Sequence, residues 1–266
     1  MASFFRPAGR GAVAASLIAS VLAFGAQPAA AAEGAAAPAA QSWSFDGVFG
    51  TFDRGALQRG YKIYTESCAS CHAMKFLAYR NLGEPGGPEF GEAEVKAIAA
   101  EATVQDGPNT DGDMFERPGL PSDRFVSPFP NDNAARAANN GALPPDLSVI
   151  AKARAHGPDY LFALLTGYGE PPAGFELREG MNYNAAFPDH QIAMPQPLSD
   201  GAVDYTDGTP TDLRQLARDV TTFLVWAAEP KLEARKRAGF QVMIYLVLLA
   251  GLLYFTTKKL WTGVEH

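Results

Sequence analysis

The sequence contains little cysteine and fewer cations than anions. Its 266 residues hold two cysteines and four histidines, and 22 lysines and arginines stand against 29 aspartates and glutamates. So few and scattered thiols and imidazoles do not supply the four ligands that a zinc ribbon or finger requires. The acidic balance predicts no nucleic-acid partner. No internal repeat is present, and low complexity is confined to an Ala-rich leader, so a repeat architecture is not expected.

The N-terminal residues carry the three parts of a secretory signal. Arg6 and Arg10 give a positive start, "GAVAASLIASVLAFGA" gives a short apolar run, and "AQPAAAAEG" supplies the small residues that a signal peptidase accepts. Residues 1–32 are therefore predicted to be a cleaved signal peptide, and the rest of the chain is predicted to be exported. Loss of the two arginines takes the net charge from −7 to −9.

A longer apolar segment, "RKRAGFQVMIYLVLLAGLLYFTTKKLW", lies near the C-terminus. Its uncharged part, 238–257, has 20 residues, and a helix of that length spans about 30 Å, the hydrocarbon thickness of a bilayer. Basic residues flank both ends, and Trp261 suits a membrane interface. We expect an exported domain at 33–230 in the periplasm of a bacterium, a single transmembrane anchor in the inner membrane at 231–258, and a cytoplasmic tail at 259–266.

The exported part is rich in residues that break regular structure, with 26 glycines and 20 prolines in the whole chain. Stretches such as "LGEPGGPEFGE" exclude long helices and a regular sheet, so a mostly α, loop-rich domain is predicted. Thr209 and Pro210 are predicted to open a late helix, and Pro230 is predicted to end it. This helix has an apolar face that we expect to pack on an earlier helix at 57–64. The face comprises Leu213, Leu216, Val220, Phe223, Leu224 and Ala227.

Both cysteines lie in "TESCASCHAMKF", with His72 directly after the second. Cys68 and Cys71 suit a redox-active or structural disulfide, but the alternating strands and helices of a thioredoxin-like site are missing around them. Cys-x-x-Cys-His is also the attachment signal of c-type haem. Two thiols one helical turn apart match the two vinyl groups of haem, and His72 then projects a ring nitrogen at the iron. One covalent haem is the favoured reading, and a non-haem exported protein with a disulfide is the alternative.

The residues themselves leave the second axial ligand open. Met74 lies too near the proximal turn to reach the opposite face of a haem. Met194 lies in "HQIAMPQPL", where Pro195 and Pro197 stiffen the backbone, so this loop can present a sulfur at fixed geometry. Met194 is favoured, and the remaining candidates are Met114, Met181, His156 and His190.

The chain resembles the family of cytochrome c1, the haem c subunit of the cytochrome bc1 complex. The resemblance rests on "RGYKIYTESCASCHAMKFLAYR", "NDNAARAANNGALPPDLSVIAKARAHGPDYLFALLTGY", "FPDHQIAMPQPL" and "YTDGTPTDLRQLARDVTTFLVWAAEPKLEARKRAGF", and on the C-terminal anchor. It covers nearly the whole exported chain. It implies a class I cytochrome c-like haem domain with one C-terminal transmembrane helix.

The resemblance also implies a role for each residue that matches the family's motifs. Cys68 and Cys71 would form the thioethers, His72 would be the proximal iron ligand, and Met194 would be the distal ligand. The remaining implied positions are the haem edge (Asn139, Ala142, Pro144, Pro145 and Ile150), the propionate contacts (Arg154 and Tyr160) and the cavity wall (Leu164, Leu165, Phe187 and Ile192).

A haem with both axial positions filled passes electrons and binds little else, and a His/Met pair raises its reduction potential. The family resemblance implies a relay from the Rieske iron–sulfur protein to a soluble cytochrome c, inside a dimeric membrane complex that also contains cytochrome b. Quinol oxidation would occur on those partners, so no catalysis is expected of this chain alone. Acidic residues within 84–94 and 106–116 fit an ordinary solvated surface, and the alternative is that they steer a basic cytochrome c to the haem edge. The alternative is a free-standing, membrane-tethered c-type cytochrome that feeds another oxidase or dehydrogenase.

Overall fold

The computed structural model describes residues 37–263, and the predicted signal peptide at 1–32 lies outside the described residues. Short strands form two separate antiparallel pairs, β1 (Thr103–Asp106) with β2 (Phe115–Pro118) and β3 (Asn182–Tyr183) with β4 (Gln191–Ile192). The predicted mostly helical, loop-rich architecture is confirmed. The α-helices in the described range are α1 (Arg54–Ile63), α2 (Glu92–Ala100), α3 (Asp132–Ala138), α4 (Gly157–Thr166), α5 (Leu213–Ala228) and α6 (Leu232–Leu260).

Helices α1 and α5 cross in close contact, and Gly60 permits the approach. A Cβ atom at residue 60 would lie 2.3 Å from the Asp219 carbonyl oxygen and 2.6 Å from the Cβ of Phe223. Phe223 is fully buried, and its ring centroid lies 5.8 Å from the centroids of both Tyr61 and Tyr64. The predicted packing of the late helix on the early one is therefore confirmed.

The start of α5 differs from the prediction that Thr209 and Pro210 open it. Asp212 is the N-cap, since its carboxylate accepts hydrogen bonds from the backbone N–H groups of Arg214 at 3.1 Å and Gln215 at 3.2 Å. A carboxylate at this position satisfies amides that have no partner inside the helix, so it sets the first turn. Residues 209–211 remain in the preceding loop. The helix ends at Ala228, as the predicted stop at Pro230 requires.

Helix α6 is the candidate membrane span. It is 29 residues long, its most apolar window has a mean hydropathy of 2.0, and none of that window is buried against the protein. Its first turn is held by the domain, because Leu232 is buried and the Glu233 carboxylate accepts from both terminal nitrogens of Arg54 at 2.8 Å. Glu233 also accepts from the Phe52 amide at 2.9 Å. The helix therefore leaves the domain from a fixed base.

The crossing predicts the effect of Gly60→Ala. The methyl group would collide with a backbone oxygen that cannot swing aside, so we expect a net loss of about 1–3 kcal/mol despite the better helix propensity of alanine. Urea unfolding of the full-length protein in detergent, followed by far-UV circular dichroism, measures this loss.

Gly239→Ala is the matched control for Gly60→Ala. Residue 239 is also a glycine inside a helix, but a Cβ there meets nothing within 4 Å, so its stability should stay level or rise slightly. Equal stability of the two variants would refute the close crossing.

Candidate functional site

The two cysteines and His72 lie on one tight turn that continues α1. The helix widens into a π-helical segment, Tyr64–Cys68, which then closes into a turn. The Cys68 carbonyl oxygen accepts from the Cys71 amide at 3.1 Å and from the His72 amide at 2.9 Å. Wide helical turns of this kind are frequent at functional sites. Both thiols and the imidazole are therefore presented by a single piece of backbone.

The tautomer of His72 follows from its hydrogen-bond partner. Its Nδ1 lies 2.8 Å from the backbone oxygen of Pro145, and a carbonyl oxygen can only accept. Nδ1 must therefore carry the hydrogen, which leaves the Nε2 lone pair available to a metal. A metal-binding histidine commonly donates its second ring N–H in this way. The predicted haem-edge residue Pro145 thus has a further role that the sequence did not indicate.

Burial favours the neutral forms of Cys68 and His72. It raises the pKa of the Cys68 thiol to about 12 and lowers the pKa of His72, although the hydrogen bond to Pro145 opposes the second shift. The reactive cysteine of a disulfide oxidoreductase instead has a lowered pKa. Cys68 in this environment is therefore a weak attacking thiol.

Hydrogen bonds join the segment after His72 to the loop that contains Pro145. The Asp146 carboxylate accepts from the Lys75 amide at 3.1 Å and from the Ser148 amide at 2.8 Å. The buried Ser148 hydroxyl accepts from the Phe76 amide at 3.0 Å. Sequence reasoning missed Asp146 and Ser148. An Asp-x-Ser turn is visible in "PPDLS", but its partners lie about 70 residues away in the chain.

The backbone at Met194 is fixed by two side chains that sequence reasoning also missed. The Tyr168 hydroxyl donates to the Met194 carbonyl oxygen at 3.0 Å, and the Asn182 amide lies 3.4 Å from the same oxygen. Asn184, which is fully buried, donates to the Leu164 carbonyl oxygen at 2.8 Å. The β3–β4 hairpin before Met194 is thereby joined to α4.

The other candidates for the second axial ligand occupy varied environments, and Met181 is half-buried. Met74 is fully buried in the main hydrophobic core, and Met114 is 59% exposed beside strand β2. His190 Nδ1 lies 3.1 Å from the Ala185 carbonyl oxygen. His156 precedes α4 with a left-handed backbone and is exposed. Met194 stays the predicted ligand on the grounds of its proline-stiffened loop and the family resemblance.

The predicted pocket residues come from four segments of the chain. Arg154 lies close enough to the Tyr160 hydroxyl to offset part of the rise in the pKa of Tyr160 that burial causes. The two predicted propionate contacts are therefore neighbours, and Arg154 is exposed to solvent. The remaining positions are the end of α3 and its loop (Asn139, Ala142, Pro144, Pro145), the following turn (Ile150), α4 (Leu164, Leu165) and the hairpin region (Phe187, Ile192). Their contacts with haem stay predictions.

Comparison with known proteins finds one family and several close relatives. The model of the Cytochrome C1 family matches residues 43–264. The chain is 54% identical over 254 residues to "Cytochrome b/c1" of Bradyrhizobium diazoefficiens, which covers 88% of this chain and 37% of that protein. It is 52% identical over 208 residues to "Cytochrome c1 1, heme protein, mitochondrial" of Arabidopsis thaliana, with coverage of 78% and 66%. It is 46% identical over 242 residues to "Cytochrome c1" of Rhodospirillum rubrum, with coverage of 85% and 88%.

The relatives differ in length from this chain. The aligned part spans just over a third of the Bradyrhizobium protein and about two thirds of the Arabidopsis protein. The Rhodospirillum protein is matched over most of its length.

The hydrogen bonds that the Asp146 carboxylate accepts predict a measurable effect of replacing it. Asp146→Ala leaves the Lys75 and Ser148 amides without their acceptor, so we expect a loss of about 1–3 kcal/mol of unfolding free energy. Asp146→Asn keeps one acceptor oxygen and should lose less. Urea unfolding measures both changes, with Asp111→Ala in the exposed β1–β2 loop as the control that should not change. A loss in Asp146→Ala no larger than in the control would contradict this role.

Proposed function

The chain belongs to the cytochrome c1 family, and we propose that it is the electron-transfer subunit of a quinol–cytochrome c oxidoreductase. In this role it takes electrons from a Rieske iron–sulfur protein and passes them to a soluble cytochrome c. One haem c, bound covalently through Cys68 and Cys71, is the carrier. Its iron ligands are His72 and Met194.

The observation that carries this proposal is the proximal turn. Cys68, Cys71 and His72 share one turn of backbone, and the bond from His72 Nδ1 to the Pro145 carbonyl leaves Nε2 free to bind a metal. Two thiols and one neutral imidazole are the donor set that covalent haem attachment uses. The residues present therefore fit the group that the family implies.

The protein contributes position and polarity at this site. A haem held here supplies one-electron redox chemistry at its iron. His72 is kept in one ring orientation by Pro145, and the Met194 backbone is kept in place by Tyr168. When an electron arrives or leaves, the charge at the site changes. Ligands and dipoles that are already fixed in position need little rearrangement to accommodate that change. The chain needs no acid, base or nucleophile for this work.

Arg154 and Tyr160 serve the proposed propionates. A guanidinium is always charged and can donate two parallel hydrogen bonds to a carboxylate, which suits a propionate at a solvent-exposed edge. The Tyr160 hydroxyl beside it supplies a further donor. The apolar residues of α4, Leu164 and Leu165, would line the haem and exclude water from it.

The proposed partners follow the family and the candidate span. Helix α6 would anchor the domain to a bacterial inner membrane, with the domain in the periplasm and with cytochrome b and the iron–sulfur protein in the same dimeric complex. Some of the acidic residues proposed to steer cytochrome c are paired with cations of this chain, which reduces the charge they offer to a partner. Four of the eight acids in the two clusters form ion pairs: Glu84 with Lys231, Glu89 with Arg54, Glu92 with Lys96, and Asp106 with Arg117.

Covalent attachment is tested by mass and by spectrum. The full-length protein from a host that attaches haem should gain the mass of one haem, and this mass should survive acid acetone. Cys68→Ala and Cys71→Ala should each keep one thioether and shift the reduced pyridine spectrum to the red, because one vinyl group remains unsaturated. Ser70→Ala, on the same turn, is the control and should match the parent. A polypeptide without added mass would refute the proposal.

The anchoring of Met194 is tested by its sulfur–iron absorption in the near infrared. Met194→Leu should abolish this band. Tyr168→Phe should keep the band in buffer, but the band should vanish at a lower urea concentration, because about 1 kcal/mol of restraint on the Met194 carbonyl is lost. Tyr183→Phe, in the same hairpin region, is the control. Retention of the band in Met194→Leu would assign the ligand to another residue, and equal urea midpoints for the two tyrosine variants would contradict the role of Tyr168.

A further inference from the structure

A short closed loop, residues 44–51, lies beside the base of α6. The Thr51 amide donates to the Ser44 carbonyl oxygen at 3.0 Å, which closes the loop. Gly47 has a φ of +69°, in the left-handed region that favours glycine. A Cβ atom on Gly50 would lie 2.0 Å from the Asp46 carbonyl oxygen, so only glycine fits there. The 44–51 loop is therefore a built turn.

The two ends of this loop are fixed to the domain core. Phe45 is buried, and its ring stacks on Trp43 with centroids 5.5 Å apart and lies 5.3 Å from Phe52. The Asp46 carboxylate turns back to accept from the Trp43 amide at 3.1 Å. These contacts leave only the tip, 47–50, projecting from the domain.

The tip is apolar and exposed. Its sequence is Gly-Val-Phe-Gly, without a charge. Val48 is 62% exposed and Phe49 is 77% exposed. The Phe49 ring does have one neighbour, since it meets Phe240 of α6 edge to face with centroids 5.4 Å apart.

Contact with Phe240 places the tip at a defined level along α6. The uncharged stretch of the helix begins at residue 238, so Phe240 lies about 3 Å inside it at 1.5 Å per residue. Phe49 therefore lies level with the first apolar turn. Lys236, one turn earlier, donates from its amine to the carbonyl oxygens of Phe45 and Gly50 and holds the loop against the helix.

We propose that the 44–51 loop is a second membrane contact, in which Val48 and Phe49 insert into the boundary between headgroups and acyl chains of the bilayer beside α6. The proposal rests on the membrane anchorage of α6 in the proposed function. A phospholipid surface is the occupant that the geometry favours, because the exposed apolar tip packs on Phe240 in the first turn of the uncharged stretch of α6 and so continues its apolar surface. Two contacts fix the tilt of the domain on the membrane, which one helix alone leaves open.

Site-specific photo-crosslinking tests this proposal in the assembled protein in its native membrane. A benzophenone amino acid replaces Phe49 in one variant and Phe240 in a second. A third variant carries it at Phe115, an exposed phenylalanine of strand β2. After irradiation, adducts are identified by mass. We expect phospholipid adducts from positions 49 and 240, each with a yield on the order of ten times that from position 115, as insertion into lipid requires.

The outcomes separate the loop from the anchor. Lipid adducts from position 240 but none from position 49, or adducts from position 49 to another polypeptide, would overturn the lipid contact and leave the anchor intact. Lipid adducts from neither position would overturn the anchor itself, and with it this inference.

Discussion

The hydrogen bond between His72 Nδ1 and the Pro145 carbonyl is the contact on which the candidate site depends. It joins two segments that lie 73 residues apart and decides which ring nitrogen can bind a metal. The bond holds because Asp146 and Ser148, which closely follow Pro145, tie their segment to the residues just after His72. Without those hydrogen bonds, Pro145 would lie in an unrestrained loop and the His72 imidazole would have no fixed direction.

The crossing of α1 and α5 positions the turn that carries His72. Gly60 brings the helices close, and beside it the buried carboxylate of Asp219 accepts from Arg59 at 2.8 Å, from Tyr205 at 3.0 Å and from Gln215 at 3.0 Å. A buried carboxylate is tolerated only when it is paired and hydrogen-bonded in this way, and removal of a partner is costly. The ion pair between Arg59 of α1 and Asp219 of α5 also fixes how far one helix can slide along the other. The turn after α1 therefore has one position relative to the core.

Sequence reasoning reached the parts of this structure that local patterns encode. The spacing of Cys68, Cys71 and His72 is local, and so is the apolar face of α5. The positions of Asp146, Tyr168 and Asn184 are not encoded locally, because each acts through a partner 20 or more residues away that only the folded chain brings near. The start of α5 was misjudged for a different reason. Two good caps lie within four residues, and the Asp212 carboxylate sets the first turn because it accepts from the Arg214 and Gln215 amides.

Two sets of contacts tie the domain to the base of α6. The first turn of α6 is tied by the bidentate pair of Arg54 and Glu233, and Lys236 is tied to the 44–51 loop. A bidentate pair that is largely shielded from solvent holds geometry better than an exposed one. The domain and the base of its helix therefore move as one body.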